Sequence, residues 1–141
     1  MVSLPPSGAL DVLERMREAA IARSVGDMSS VYAADAVHEF PFTRPGVPSR
    51  MEGRDAIMSF LTAFWSTSPL RYERYRTIAI HGTPDPDTII VEQEVEGISS
   101  TTGSFVLPNI MVLKTRHGQI AHLRDYANLL AVGEAIGSPA S

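Results

Sequence analysis

From Ala9 onward, apolar residues recur at helical spacing at Leu10, Leu13, Met16 or Arg17, Ala20 and Ile21, which predicts a helix with one buried face stopping near Gly26. Asp27 then suits the cap of a short second helix carrying Met28, Val31 and Tyr32, with Asp35 near its end. Residues 36 to 42, AVHEFPF, alternate β-branched or aromatic side chains with polar ones and predict a short strand. The prolines and glycine of RPGVPSR cannot extend that strand, so it enters a loop. Past Gly53 the period returns to 3.6, and Ile57, Phe60, Leu61, Phe64 and Trp65 form one stripe of a third helix ending near Ser68-Pro69.

The second half differs in kind. Four apolar-rich runs, Leu70 to His81, Thr88 to Gly97, Ser104 to Thr115 and Gln119 to Leu130, are separated by GTPDPD, ISSTTG and RHG, each rich in turn residues. They predict an antiparallel strand meander. Residues 1–7 and 138–141 are expected to be tails around one domain over 8–137, with no internal repeat. Helices first and strands afterwards give an α+β fold: a cone-like, curved antiparallel sheet wrapped around the N-terminal helices, whose interior suits a small ligand.

Composition narrows the choices. At 141 residues and 44% hydrophobic content the chain can bury a core without cross-links. Cysteine is absent, which removes disulfides, thiolate metal sites and thiol nucleophiles. A formal charge of −4 without a basic stripe argues against nucleic acid as a partner. The opening MVSLPPSGALDVLERM has no charged leader followed by an apolar run, and no stretch reaches about 18 apolar residues, so no membrane partner is expected and the chain reads as cytoplasmic. No glycine-rich phosphate loop, GxSxG elbow or HExxH helix is present.

Strand alternation selects the candidate chemistry. On the last strand Ala121, Leu123, Asp125, Ala127 and Leu129 share a face, which sets Asp125 among apolar neighbours, a partly desolvated position suited to a general base or acid. A structural aspartate paired with an arginine or backbone amide is the plainer alternative. On the preceding strand Asn109 is the one polar member of a face with Phe105, Leu107, Met111 and Leu113; it needs a partner, which a ligand carbonyl, Asp125 or nearby backbone can supply. Gln93 stands likewise between Val91 and Val95. His38, on a face with Phe40 and Phe42, is a candidate proton shuttle, while His81, His117 and His122 read as surface. Tyr32, Phe60, Phe64 and Trp65 are at core spacing and can double as cavity wall with Phe40, Gln93 and Met111. Glu92, Glu94 and Glu96 lack histidine partners at ligand spacing and read as a solvated row with Arg71, Arg74, Arg76 and Arg124 as counter-charges, so no metal site is expected.

The run YAADAVHEFPFTRPGVPSRMEGRDAI, with the later DPDTIIVEQEVEG and GQIAHLRDYAN, resembles the SnoaL-like proteins of the ketosteroid-isomerase-like (nuclear transport factor 2-like) superfamily. Phenazine biosynthesis A/B proteins are similar over EGRDAI, DPDTIIVEQEVEG, Asn109 and RDYAN, although Phe60 stands near the place of their helix histidine. SnoaL-like polyketide cyclases are similar too. The resemblance implies a cofactor-independent acid/base enzyme of secondary metabolism, of cyclase or isomerase type, with Asp125 as general base and Asn109 or His38 as donor to a carbonyl oxygen. The substrate is expected to be small and hydrophobic or aromatic, and the chain a homodimer. A non-catalytic binding protein is the alternative. An epoxide-hydrolase-like enzyme is a further one, with Glu94 and Glu96 near the place of its Arg and Asp pair.

Overall fold

The computed structural model describes residues 8–137; the two expected tails, 1–7 and 138–141, lie outside the described residues. Helix α1 (Ala9–Ala22) buries Val12, Leu13, Met16, Ala20 and also Arg17, and leaves Ile21 exposed. It stops before Gly26 because Arg23 turns into the left-handed region and its N–H closes on Ala19 and Ala20. Ser24, rather than Asp27, then caps α2 (Val25–Val31), its side chain accepting from the Asp27 N–H. Asp27 sits in the first turn, where its charge suits the helix N-terminus.

Tyr32 does not belong to that helix. Strand β1 runs over Tyr32–Glu39 and pairs in parallel with the last strand, Tyr32 opposite Ile120 and His38 opposite Leu123. Long-range pairing overrides the helical preference of Tyr-Ala-Ala-Asp, so both Tyr32 and Asp35 are strand residues. The strand ends before Phe42, since Pro41 has no N–H to continue a ladder. Within the expected loop a three-residue strand β2 (Arg50–Glu52) pairs antiparallel with β1. Helix α3 (Arg54–Thr67) follows and buries Ile57 and Met58.

The meander forms as expected: β3 (Leu70–Gly82), β4 (Thr88–Ser99), β5 (Gly103–Arg116) and β6 (Gln119–Ala127), each antiparallel to the next. The sheet order is β2-β1-β6-β5-β4-β3, so the sheet is mixed, with β1–β6 its one parallel pair. Residues Leu129 and Leu130 leave the strand. Asn128 caps a fourth helix, α4 (Leu129–Ile136), by accepting from the Ala131 N–H. A bulge in β6 pairs Lys114 with His122 and Thr115 with Ile120, which turns Ile120 rather than Ala121 inward beside Leu123.

The core lies between the concave face of the sheet and the helices. Leu13, Val12, Val31, Ile57, Val91, Leu113, Ile120 and Leu123 are its most buried aliphatic members. A smaller cluster of Leu70, Val95, Phe105, Leu107 and Ala135 seats α4 over the other end of the sheet.

Candidate active site

The sheet and helices leave a cavity of about 650 Å³ between them. Its size lies within the range of small-molecule sites. All ten residues selected from the sequence line it: Tyr32, His38, Phe40, Phe60, Phe64, Trp65, Gln93, Asn109, Met111 and Asp125. Phe42 does not. It is 70% exposed and packs edge-on against Tyr126, because the strand that would have turned it inward has already ended.

Four of these residues form one polar chain. Asn109 Nδ2 donates to Asp125 Oδ1 at 2.9 Å, which places the amide on the carboxylate rather than on backbone. The register explains the contact: Met111 pairs with Asp125, and Asn109 lies two residues away on the same face of β5. Asp125 Oδ2 lies 3.7 Å from His38 Nε2, with the carboxylate side chain 17% exposed. On the far side of the imidazole, Tyr32 Oη is 3.0 Å from Nδ1.

The phenol of Tyr32 is the partner of Nδ1. Burial first, and then the charge of Asp125, hold its pKa far above the ordinary value, so it keeps its proton. Among the described residues that proton has no acceptor other than His38 Nδ1. With the phenol as donor, a neutral imidazole has its proton on Nε2, an atom that is buried and has no hydrogen-bond partner. Phe40 closes one side of the ring at 4.8 Å between centroids, and Phe60 packs behind Phe40 at 5.8 Å. A buried donor thus stands beside a carboxylate at the wall of an apolar cavity.

Sequence alternation missed two tyrosines. Tyr72 and Tyr75 both line the cavity although they are three residues apart on β3. A bulge does this: Tyr72 pairs with Gly97, Arg74 with Glu96 and Tyr75 with Val95, so Glu73 is the extra residue and the parity changes across it. Gly97 permits the close approach, since a Cβ there would lie 2.1 Å from the Arg71 carbonyl oxygen and 2.7 Å from the Phe105 ring. An isolated glycine inside a strand was the available signal. Tyr72 is pushed up to about 12 by burial and by Asp125, and Tyr75 is also raised by burial, by Tyr72 and by Asp125.

Helical spacing offers Arg17 only as an alternative to Met16 on the buried face of α1. It is buried behind Gln93, donating from Nε and Nη2 to Gln93 Oε1 at 3.0 and 2.8 Å. On the outer face Glu94 and Glu96 pair with Arg76 and Arg74 as the charge row suggested, while Glu92 takes His81 rather than an arginine. His122 pairs there with Glu39, whose carboxyl this contact holds below its ordinary range. Among the described residues no group of three His, Cys, Asp or Glu side chains is placed to hold a metal ion, and no helix is long and apolar enough to cross a membrane.

Comparison with known proteins agrees with this architecture. The SnoaL-like domain matches residues 13–123. The PhzA/B-like protein PA3332 of Pseudomonas aeruginosa is 33% identical over 108 residues, 76% of this chain and 74% of that protein. The crystal structure of a "Putative Isomerase from Bacillus subtilis" superposes with a TM-score of 0.83 at 28% identity, covering 92% of each chain. A Catenulispora acidiphila protein with a ketosteroid isomerase-like fold, solved with trimethylamine, gives a TM-score of 0.71 at 18% identity over 92% of this chain and 94% of that one.

Proposed function

The chain belongs to the SnoaL-like domain family, and on that premise we propose that it is a cofactor-independent acid/base enzyme of cyclase or isomerase type, acting beside a carbonyl group of a small hydrophobic or aromatic substrate. The observation that carries this reading is the chain Asn109–Asp125–His38–Tyr32 at the cavity wall. Asn109 occupies one carboxylate oxygen and leaves Oδ2 to act. Oδ2 removes a proton from the carbon next to the carbonyl, the C–H electron pair moves into the new C=C bond, and the carbonyl oxygen takes up negative charge. The Nε2–H of His38, 3.7 Å from Oδ2, donates to that oxygen once a small rotation of the ring uncovers it. Asp125 then returns its proton to a second carbon, giving an isomer, or the enolate carbon attacks a second carbonyl and closes a ring.

Exchange of the protons next to the carbonyl of 2-tetralone for solvent deuterium, followed by NMR, tests the first step without knowledge of the product. The wild type is expected to accelerate exchange, and Asp125→Asn to lower that rate by about 10²–10⁴ with fold and ligand binding retained. Equal exchange in the variant removes Asp125 as the base.

A second reading, a binding protein without turnover, draws on Phe60, which puts a hydrocarbon wall where phenazine-type relatives are expected to carry a histidine. Binding of aromatic ketones unaffected by Asp125→Asn, with no exchange, favours it. Epoxide opening is the less favoured version, since Glu94 and Glu96 point away from the cavity into ion pairs. On the same outer face Val106 and Ile110 are 52% and 42% exposed, and we assign a homodimer contact to it. Sedimentation showing only monomer at micromolar concentration would remove that assignment.

A further inference from the structure

Arg17 and Gln93 are two of the few buried polar side chains of the protein, 7% and 4% exposed. A guanidinium in such a place is costly unless its donors are used. Two of them, Nε and Nη2, converge on a single atom of Gln93, which therefore is the amide oxygen. Nη1 reaches the exposed Glu14 at 3.2 Å, and the guanidinium lies over the Tyr75 ring at 5.4 Å. These contacts hold Arg17 outside the lining of the cavity. Gln93 is the member of the pair that lines it.

The consequence falls on the other end of the amide. With Oε1 saturated by Arg17, Nε2 is the polar end that Gln93 leaves to the cavity it lines, and its one contact among the described residues is the weak acceptor Met111 Sδ at 3.8 Å. A buried amide donor without an oxygen or nitrogen acceptor is a rare arrangement in a folded interior. Because Gln93 pairs directly with Asn109 across β4 and β5, this donor lies on the same cavity wall as the Asp125 chain.

We propose that Gln93 is a ligand-binding residue that donates from Nε2 to an acceptor-only oxygen of the bound molecule, a ketone or other carbonyl, and that Arg17 is the positioning residue that fixes the amide in that orientation. Arg17 cannot accept, so it forbids the flipped amide, which would aim two N–H groups at a guanidinium. The subsite selects carbonyl oxygen over an apolar group of the same shape, because an apolar ligand leaves the donor unpaired. This claim uses the cavity as a binding site and does not depend on proton transfer by Asp125.

The test compares benzophenone with diphenylmethane by titration calorimetry. The two probes are close in shape, and benzophenone has no hydrogen on the carbons flanking its carbonyl, so its binding needs no proton transfer by Asp125. The wild type is expected to bind the ketone about fivefold to tenfold more tightly, the worth of one buried hydrogen bond. Gln93→Glu keeps the shape and the Arg17 contacts but replaces the donor with an acceptor, and the ketone preference should fall with the fold retained. Arg17→Met leaves the amide in place but free to flip, and the preference should fall while diphenylmethane affinity holds. Should Arg17→Met fail to fold, Gln93→Glu alone decides. A wild type that prefers neither probe or binds neither at its solubility limit, or a Gln93→Glu variant that keeps the preference, overturns the proposal.

Discussion

Raising the pH probes the cavity without any substrate, through its three tyrosines. Tyr32 is 2% exposed and burial, then the charge of Asp125, keeps its phenol protonated far above the ordinary value. Tyr72 is pushed up to about 12 by the same two causes, and Tyr75 is raised by burial, by Tyr72 and by Asp125. Below about pH 10 both the folded and the unfolded chain hold these protons, and stability is at its full value. Above it the unfolded chain releases them while the folded chain keeps them. Stability then falls by about 1.4 kcal/mol per pH unit for each group until its folded pKa is passed. The losses from the three groups have the same sign and add, against the roughly 5–15 kcal/mol that holds a domain folded. Tyr72 alone accounts for about 3 kcal/mol over its whole window. The assay is urea unfolding at a series of pH values from about 8 to 12, with tyrosinate absorbance read on the folded protein. The unfolding midpoint should stay level to about pH 10 and then drop steeply. Tyr72→Phe should make the drop shallower by about 1.4 kcal/mol per unit, and Asp125→Asn should move tyrosinate formation to lower pH. Tyrosinate from Tyr32, Tyr72 and Tyr75 appearing near pH 10 in the folded state, with a level midpoint, refutes this account of the cavity.

Tyr32→Phe leaves His38 Nδ1 buried without its partner, and a loss of about 1–3 kcal/mol is expected, read as a melting temperature lower by about 3 °C or more; an unchanged value shows that the contact contributes nothing. Gly97→Ala drives a methyl into the Arg71 carbonyl, so the strands must part at the bulge, with about 1–3 kcal/mol lost in thermal unfolding, and a variant as stable as wild type contradicts the close approach. Glu96→Gln, by contrast, breaks a pair whose arginine is 68% exposed, and denaturant midpoints should move by less than about 1 kcal/mol.

The local pattern was enough for several parts of this protein. A two-residue alternation needs no knowledge of partners, so Gln93, Asn109, Met111 and Asp125 could be set on an inward face from the sequence, and the turn residues marked where the meander reverses. The apolar stripes of α1 and α3 were equally plain, as period 3.6 is a property of one helix alone. What alternation cannot register is a change of parity. The bulge at Glu73 brings Tyr72 and Tyr75 to one cavity, and the bulge in β6 exchanges Ala121 for Ile120; both depend on how two strands fit. Asn128 ended β6 with a helix cap that an apolar LLAV run concealed. Tyr32 became a strand residue only because β6 lay beside it, and that parallel pairing is what sets its hydroxyl on His38. Arg17 shared a place with Met16 on the predicted stripe, and only Gln93, 76 residues away, supplies the acceptor that lets it be buried. The sequence determined which residues could reach the cavity; long-range pairing decided which of them touch, because a hydrogen bond needs both partners in place and only the packed sheet puts them there.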